Sequence, residues 1–467
     1  MYSSKDLELR DICPLELGYP KYKPEVAESV FVARKQRLIE EMLQRKLDAV
    51  VIYADREHYA NFKYYFGHEP RFEEALLVVH ADGSACCALG NECYSLAKCA
   101  DFPVKAVLCQ AFSLPNQPMD QFVSIEHVLT ECGLKRGMRL GLIDWKLLRR
   151  NDGSYEKKLY AMPAYLVDNI RDLVGGAELL SNETAMLIAP ESGLRLRAEA
   201  DAIAEFEYGA TIASQSVVDM LNNIKPGMSE LELADFARGH GQLLSCHEFV
   251  VGGENCRKGL VAPSNYTVKL GDPFTVSTGY EGGLTCRTAL LAYDAQDAQD
   301  GWDYLEEIVK PYMATVFNWY EMMGIGTSCG DIYDMVQATL PKEKFGWTLN
   351  PGHMIGYEEW MCSPIYKGSN VRIESGMMFQ MDIIPSSPKH PGVNDEDGLA
   401  IADAELRAEL QKRHPEVYAR IMARRKFAEE QIGLHLKPEV LPLSNCFAEY
   451  KPFALRREQA VVVKAGK

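Results

Sequence analysis

The chain has 467 residues, which is too long for one ordinary hydrophobic core and predicts two domains. Its composition, 47% hydrophobic and 25% charged residues, is typical of a soluble globular protein, and no apolar run reaches the roughly 18 residues of a transmembrane helix. A net charge of −16 argues against nucleic acid and anionic membranes as partners, because both attract cationic surfaces.

The first residues and the cysteines indicate the compartment. Residues 1–6 lack the basic and apolar stretches of a secretory signal, so we expect a cytoplasmic protein. The 13 cysteines are scattered and form no CxxC pair. Reduced, mostly buried thiols are therefore expected in preference to disulfides or a zinc site.

The first part of the chain alternates strand and helix patterns, which predicts an α/β domain over residues 1–185. A turn at residues 81–83 joins two of its strands as a hairpin. The predicted helices cover residues 26–46 and 121–132, and the predicted strands cover residues 47–53, 75–80, 84–89 and 138–144.

Turn residues at 181–193 indicate a linker, after which an α+β domain with a C-terminal extension is predicted over residues 195–467. Its helices are expected at residues 196–223 and 302–323. Ser229 and Glu232 have the spacing of a capping box, which predicts a further helix start.

Three short segments of the second domain supply one imidazole and two carboxylates. His353 lies between glycines in residues 352–356, Asp382 follows Gly376, and Glu396 precedes Asp397. One histidine with two carboxylates is a ligand set for Zn²⁺, Fe²⁺ or Mn²⁺. These three residues are therefore the candidate catalytic and metal-binding groups.

The order and spacing of several motifs resemble the pita-bread superfamily, which includes methionine aminopeptidase, aminopeptidase P, prolidase and creatinase. The resemblance implies a pita-bread C-terminal domain, a creatinase-like N-terminal domain and a homodimer. The motifs that carry it are residues 61–67, 225–230, 271–272, 285–288, 352–356, 376–377 and 396–397.

Compared with that family, the catalytic pattern is incomplete. The positions of the first metal-binding aspartate and of the bridging aspartate are occupied by Ser277 and Leu284. The substrate-contacting histidine falls on Leu260, and a second histidine falls on Trp360. The resemblance keeps His353, Glu396 and Asp382, the last in place of a glutamate. Because no carboxylate bridges two ions, we expect the ordinary dinuclear peptidase mechanism to be absent.

Three interpretations of the surviving residues stay open. His353, Asp382 and Glu396 bind one divalent ion, or they act as a metal-free acid–base set, or the pocket only binds a small molecule or a partner. The leading hypothesis is a hydrolase that cleaves a C–N bond of a small amino-acid-like or amidino substrate. An inactive binder is the alternative, and an Xaa-Pro metallopeptidase comes third.

Several neighbours of these motifs have both a functional and a structural interpretation. Arg287 either orients an anionic substrate group or pairs with Glu396 or Asp382 inside the protein. Trp360 and Tyr357 either fill space or contact a substrate, for example a methylated ammonium group.

Overall fold

A computed structural model describes residues 1–297, 304–386 and 392–467. The helices are α1 Glu28–Gln44, α2 Ala60–Phe66, α3 Ile125–Glu131, α4 Ala164–Val174, α5 Thr184–Ile188, α6 Ala200–Asn223, α7 Glu230–Ala234, α8 Lys310–Met322, α9 Cys329–Thr339, α10 Lys342–Phe345, α11 Ala404–Arg413 and α12 Pro415–Phe427. The strands are β1 Leu7–Asp11, β2 Ala49–Ala54, β3 Ala75–His80, β4 Ala85–Leu89, β5 Lys105–Leu108, β6 Leu140–Ile143, β7 Leu180–Asn182, β8 Leu244–Gly252, β9 Pro273–Tyr280, β10 Gly283–Leu290, β11 His353–Met354, β12 Met378–Met381, β13 Asn394–Ile401, β14 Val440–Pro442 and β15 Gln459–Val463.

The described residues divide into two compact units. One is Val26–Leu196, and the other combines Met1–Glu25 with Arg197–Lys467. The predicted first domain, residues 1–185, therefore includes a segment that belongs to the second unit. The reason is a long-range pairing that no local pattern shows, since β1 pairs antiparallel with β15 near the end of the chain.

The unit Val26–Leu196 is an α/β fold, as predicted. Its six strands lie in the order β5-β4-β3-β2-β6-β7, with β2, β6 and β7 parallel. The predicted hairpin is confirmed, because β3 and β4 pair antiparallel around Gly83, whose φ of 87° suits glycine. Each predicted element of this unit is present, with shorter bounds for most of them.

The second unit is built on one larger sheet. Its path is β11-β12-β13-β10-β9-β8, and β14 also pairs with β13. Helix α6 packs on β9 and β10, and Gly209 permits this approach because a Cβ there would lie 1.9 Å from the carbonyl oxygen of Glu281. The α+β prediction is confirmed, and so is the Ser229–Glu232 capping box at the start of α7.

Two sequence predictions for this unit need correction. The helix expected over residues 302–323 is confirmed in its described part but is not regular, because a π-helical turn at Leu305–Val309 precedes α8, and Trp302 lies outside the described residues. The C-terminal extension is an integral part of the unit, because α12 packs against α6 and β14 extends the sheet. Among the described residues, no helix combines the length and apolar content needed to span a membrane.

A candidate active site on one face of the second sheet

The register of the sheet brings the distant motifs onto one face. Glu396 on β13 pairs with Cys286 on β10, and Cys286 pairs with Ser277 on β9. Continuing the register of β12 and β13 by one residue places Asp382 opposite Glu396. Because side chains alternate between faces along a strand, these residues share a face.

A second row on the same face contains the histidine. His353 pairs with Gln380, and Gln380 pairs with Gly398, two residues from Glu396 on β13. Leu284, two residues from Cys286, lies on this face as well. All five positions that the family comparison identified as ligand positions therefore occur together, but two of them hold a serine and a leucine.

The imidazole of His353 is the centre of a compact acidic cluster. Its Nε2 lies 3.0 Å from Oε1 of Glu359 and 3.9 Å from Oδ2 of Asp382. Ligand atoms of His353, Glu359 and Glu396 all lie within 4.8 Å of one another. Three carboxylates around one imidazole leave an excess of negative charge, which a cation would neutralise.

Unsatisfied polar atoms in this cluster also point to a missing partner. Among the described residues, Oδ1 of Asp382 and Oε1 of Gln380 are buried without a hydrogen-bond partner, and Nε2 of His353 has the carboxylate of Glu359 3.0 Å away. Nδ1 of His353 lies 3.3 Å from the carbonyl oxygen of Met354. If that nitrogen donates, Nε2 carries the lone pair that a metal ligand requires. The donor set thus fits one divalent ion held by His353, Glu359 and Glu396.

Burial and mutual repulsion change the acidity of the cluster. Burial raises the pKa of Asp382 to about 6, with attraction to His353 opposing the change and repulsion from Glu359 adding to it. Burial, with repulsion from Asp382 and Glu359, holds the pKa of Glu396 well above its ordinary value. For His353, burial alone lowers the pKa, but the carboxylates of Glu359 and Asp382 outweigh it and raise the pKa. Each shift reflects charge confined in a poorly hydrated site.

The side of the face where two ligands are missing is apolar. Leu284 and Cys286 pack with Phe249, and Cys246 lies against them. Burial raises the pKa of the Cys286 thiol well above its ordinary value, so this thiol is not an activated nucleophile. Neither Ser277 nor Leu284 supplies a carboxylate on this side of the face, where a bridge between two ions was expected.

Arg287 does not belong to this face. It is directed to the opposite side of the sheet, where its Nε lies 2.9 Å from Asp395 and its Nη2 donates to Asp397 at 2.8 Å. The prediction that it pairs with the side chain of Glu396 or Asp382 is wrong, because strand alternation puts residue 287 on the face of residues 395 and 397. Its Nε, Nη1 and Nη2 also donate to the backbone carbonyl oxygens of Glu449, Cys286 and Cys446, so Arg287 has a structural explanation.

The two aromatic candidates occupy different surroundings. Trp360 stacks on the imidazole of His353, with ring centroids 4.1 Å apart and planes inclined by 18°, and 37% of it is exposed. Tyr357 is buried, donates its hydroxyl to Glu205 and meets Phe206 edge-on. Trp360 therefore lies in contact with the cluster, whereas Tyr357 contacts Glu205 and Phe206 on α6.

The upstream position that the family gives to a histidine is at the surface. Leu260 is 70% exposed, and its carbonyl oxygen lies 3.2 Å from Nε2 of the exposed His247. Neither residue belongs to the acidic cluster of His353, Glu359, Asp382 and Glu396.

Glu359 is the site residue that the sequence analysis missed. It follows β11 in a turn that returns the chain, with the Met361 amide donating to Met354 and the Gly356 amide donating to Glu358. The motif spacing of the pita-bread superfamily predicts a histidine at position 360, one residue after Glu359. The adjacent acidic pair Glu358-Glu359 was the available signal, but only the turn shows which of the two faces His353.

Comparison with known proteins agrees with the fold. Residues 204–407 match the sequence profile of Metallopeptidase family M24. No curated protein sequence matches the chain. The structure is similar to a prolidase from Pyrococcus horikoshii OT3, with a TM-score of 0.62 and 16% identity over 79% of this chain and 95% of that one.

Two further solved structures have the same fold. An Xaa-Pro dipeptidase from Bacillus anthracis gives a TM-score of 0.60 at 16% identity, over 80% of this chain and 96% of that one. A His243Ala variant of Escherichia coli aminopeptidase P gives a TM-score of 0.55 at 16% identity, over 86% of this chain and all of that one.

Proposed function

Because this chain is a divergent member of the pita-bread superfamily, we propose that it is a hydrolase of C–N bonds that uses a single divalent ion. The observation that carries the proposal is the convergence of His353, Glu359 and Glu396 within 4.8 Å in a buried site. The apolar cluster around Leu284 supports one ion in preference to two. A small amino-acid-like or amidino compound remains the proposed substrate class.

Each residue has a distinct role in this proposal. His353, Glu359 and Glu396 would hold the ion, which when bound polarises a carbonyl oxygen and lowers the pKa of a coordinated water to about 7. Asp382, whose Oδ2 lies 3.9 Å from Nε2 of His353, is the carboxylate left to accept a proton from water. Trp360 covers one face of the imidazole and limits its exposure to solvent.

Metal content tests the proposal directly. Protein purified without chelator and reloaded with Mn²⁺, Fe²⁺ or Zn²⁺ should hold about one equivalent per chain by elemental analysis. His353→Ala and Glu359→Gln should each reduce that content by about tenfold or more. Glu358→Gln is the matched control, because it removes the neighbouring charge without removing a member of the cluster.

Stability separates a binding role from a purely structural one. If His353 is an ion ligand, His353→Ala should abolish ion binding and change the melting temperature of the ion-free protein only modestly. A core role predicts a loss of about 1–3 kcal/mol in the free energy of unfolding, because a buried carboxylate loses its partner. A large loss of stability with unchanged ion content would contradict the proposal.

The alternative is an inactive homologue that binds a small molecule or a partner. It is favoured by the stacking of Trp360 on His353 and by the apolar packing of Leu284, which both restrict access to the cluster. Less than about one tenth of an equivalent of ion after reloading, together with no hydrolysis, would select this alternative.

A further inference from the structure

Two cysteines that are far apart in the sequence meet inside the unit Val26–Leu196. Cys86 lies on β4 and Cys132 directly follows α3, yet their Sγ atoms are 2.9 Å apart. The exposed fractions are 3% for Cys86 and 2% for Cys132, and both belong to the hydrophobic core of this unit. Both thiols are free and buried, as the sequence analysis expected of most cysteines, but their proximity was not predicted.

Strand β4 and helix α3 fix the positions of Cys86 and Cys132. Strand alternation directs Cys86 and Ala88 toward the core that contains Val128 and Cys132, whereas Cys87 is not part of that core. The amide of Cys132 donates to the carbonyl of Val128 at the end of α3.

Two further contacts hold the end of α3 against the sheet. The carbonyl oxygen of Cys132 lies 2.8 Å from Nε2 of His80 on β3. The carbonyl oxygen of Glu131 accepts from Nζ of Lys105 on β5. The sulfurs therefore meet because their backbones are held, independently of any bond between them.

We propose that Cys86 and Cys132 are a disulfide-forming site, oxidised by peroxide and reopened by thiol reductants. A disulfide requires the sulfurs to approach to about 2.05 Å, and the present separation leaves a short movement to that distance. The proposal is independent of the proposed hydrolase activity, because it concerns only the α/β unit.

The reaction balances with peroxide as the oxidant. Cys86 attacks one peroxide oxygen, the O–O bond breaks, and Cys86 becomes a sulfenic acid while water leaves. Cys132 then attacks the sulfenic sulfur, the S–O bond breaks, and a second water leaves. The hydrogen-bonding contact between the two sulfurs lowers the pKa of the Cys86 thiol, which favours Cys86 as the first thiol to react.

A surface cavity lies beside chain neighbours of both cysteines, although neither cysteine lines it. It has a volume of about 620 Å³, and its lining includes His80, Ser84, Gly133 and Lys135. Ser84 is two residues from Cys86, and Gly133 is adjacent to Cys132. Peroxide is small enough to enter such a space.

Peptide mapping of the full chain tests the proposal without any variant. After treatment with peroxide, removal of the oxidant and alkylation under denaturing conditions, a peptide linking Cys86 to Cys132 should appear, and reductant should remove it. Full alkylation of both cysteines, or linkage of either one to another cysteine, would overturn the proposal.

Thermal unfolding gives a second readout. Oxidation should raise the melting temperature of this unit by roughly 10 °C, since the bond closes a loop of about 45 residues. Cys132→Ser should lose this response, whereas Cys87→Ser, which replaces the adjacent buried thiol, should retain it. An equal response in both variants contradicts the assignment. If Cys132→Ser fails to fold, Cys86→Ala takes its place.

Discussion

At the scale of single residues, Asp382 links the charge of the cluster to pH. Its pKa is raised from 3.8 to about 6, chiefly by burial. A carboxyl group with a raised pKa binds its proton more tightly in the folded protein than in the unfolded chain. The stability of the ion-free protein should therefore fall as pH rises from about 4 to about 6, and stay lower above that range.

The substitution Asp382→Asn makes this pH dependence measurable, because an amide resembles the protonated carboxyl group. In chelator-treated protein it should raise the free energy of unfolding on the order of 3 kcal/mol at about pH 7.5, and change it little near pH 4. Urea unfolding at both pH values provides the comparison. An equal effect at the two pH values would show that the charge of Asp382 is not the cause.

At the scale of elements, α6 and α12 are joined by a buried ion-pair network. Arg424 donates to Glu207 at 2.6 Å, to Thr211 at 2.7 Å and to Asn445 at 2.8 Å. Glu207 also pairs with Arg420. Because α6 packs on β9 and β10, which belong to the sheet of the candidate site, this network stabilises the packing around that sheet.

Removing one member of that network should lower the free energy of unfolding more than removing two members together. Arg424→Met leaves the buried carboxylate of Glu207 with Arg420 and the hydroxyl of Thr211 but without its fully buried ion-pair partner, and should cost about 3 kcal/mol of unfolding free energy. The double variant Arg424→Met, Glu207→Met should cost less, since no incompletely paired carboxylate remains in the core. A double-mutant cycle by urea unfolding tests the expected coupling, and additive losses would contradict it.

At the scale of the whole molecule, the fold is similar to that of a prolidase and an aminopeptidase P, whereas Ser277 and Leu284 stand where the sequence analysis expected metal-binding carboxylates. We expect no cleavage of Xaa-Pro dipeptides or tripeptides, with or without added Mn²⁺ or Co²⁺, because Ser277 and Leu284 cannot provide a bridging carboxylate. Ion-stimulated turnover of even about 1 s⁻¹ would refute this expectation. The homodimer stays a prediction that sedimentation analysis can test.

The amino-acid sequence alone determined the fold class, most elements of the α/β unit and the identity of His353, Asp382 and Glu396 as the surviving polar groups. These features depend on hydrophobic period, turn residues and motif spacing, which are local properties of the chain. The expected loss of metal ligands at Ser277 and Leu284 rests on the resemblance to the pita-bread superfamily and stays a prediction.

Only the tertiary structure shows which side chains meet when their contact depends on strand register or joins distant parts of the chain. Strand alternation sends Arg287 away from Glu396, and a turn after β11 brings Glu359 to His353. The pairing of Cys86 with Cys132 likewise arises only when β4 and the end of α3 enter one core. A shift of one residue along a strand reverses the face that a side chain occupies, so motif spacing alone does not fix such contacts.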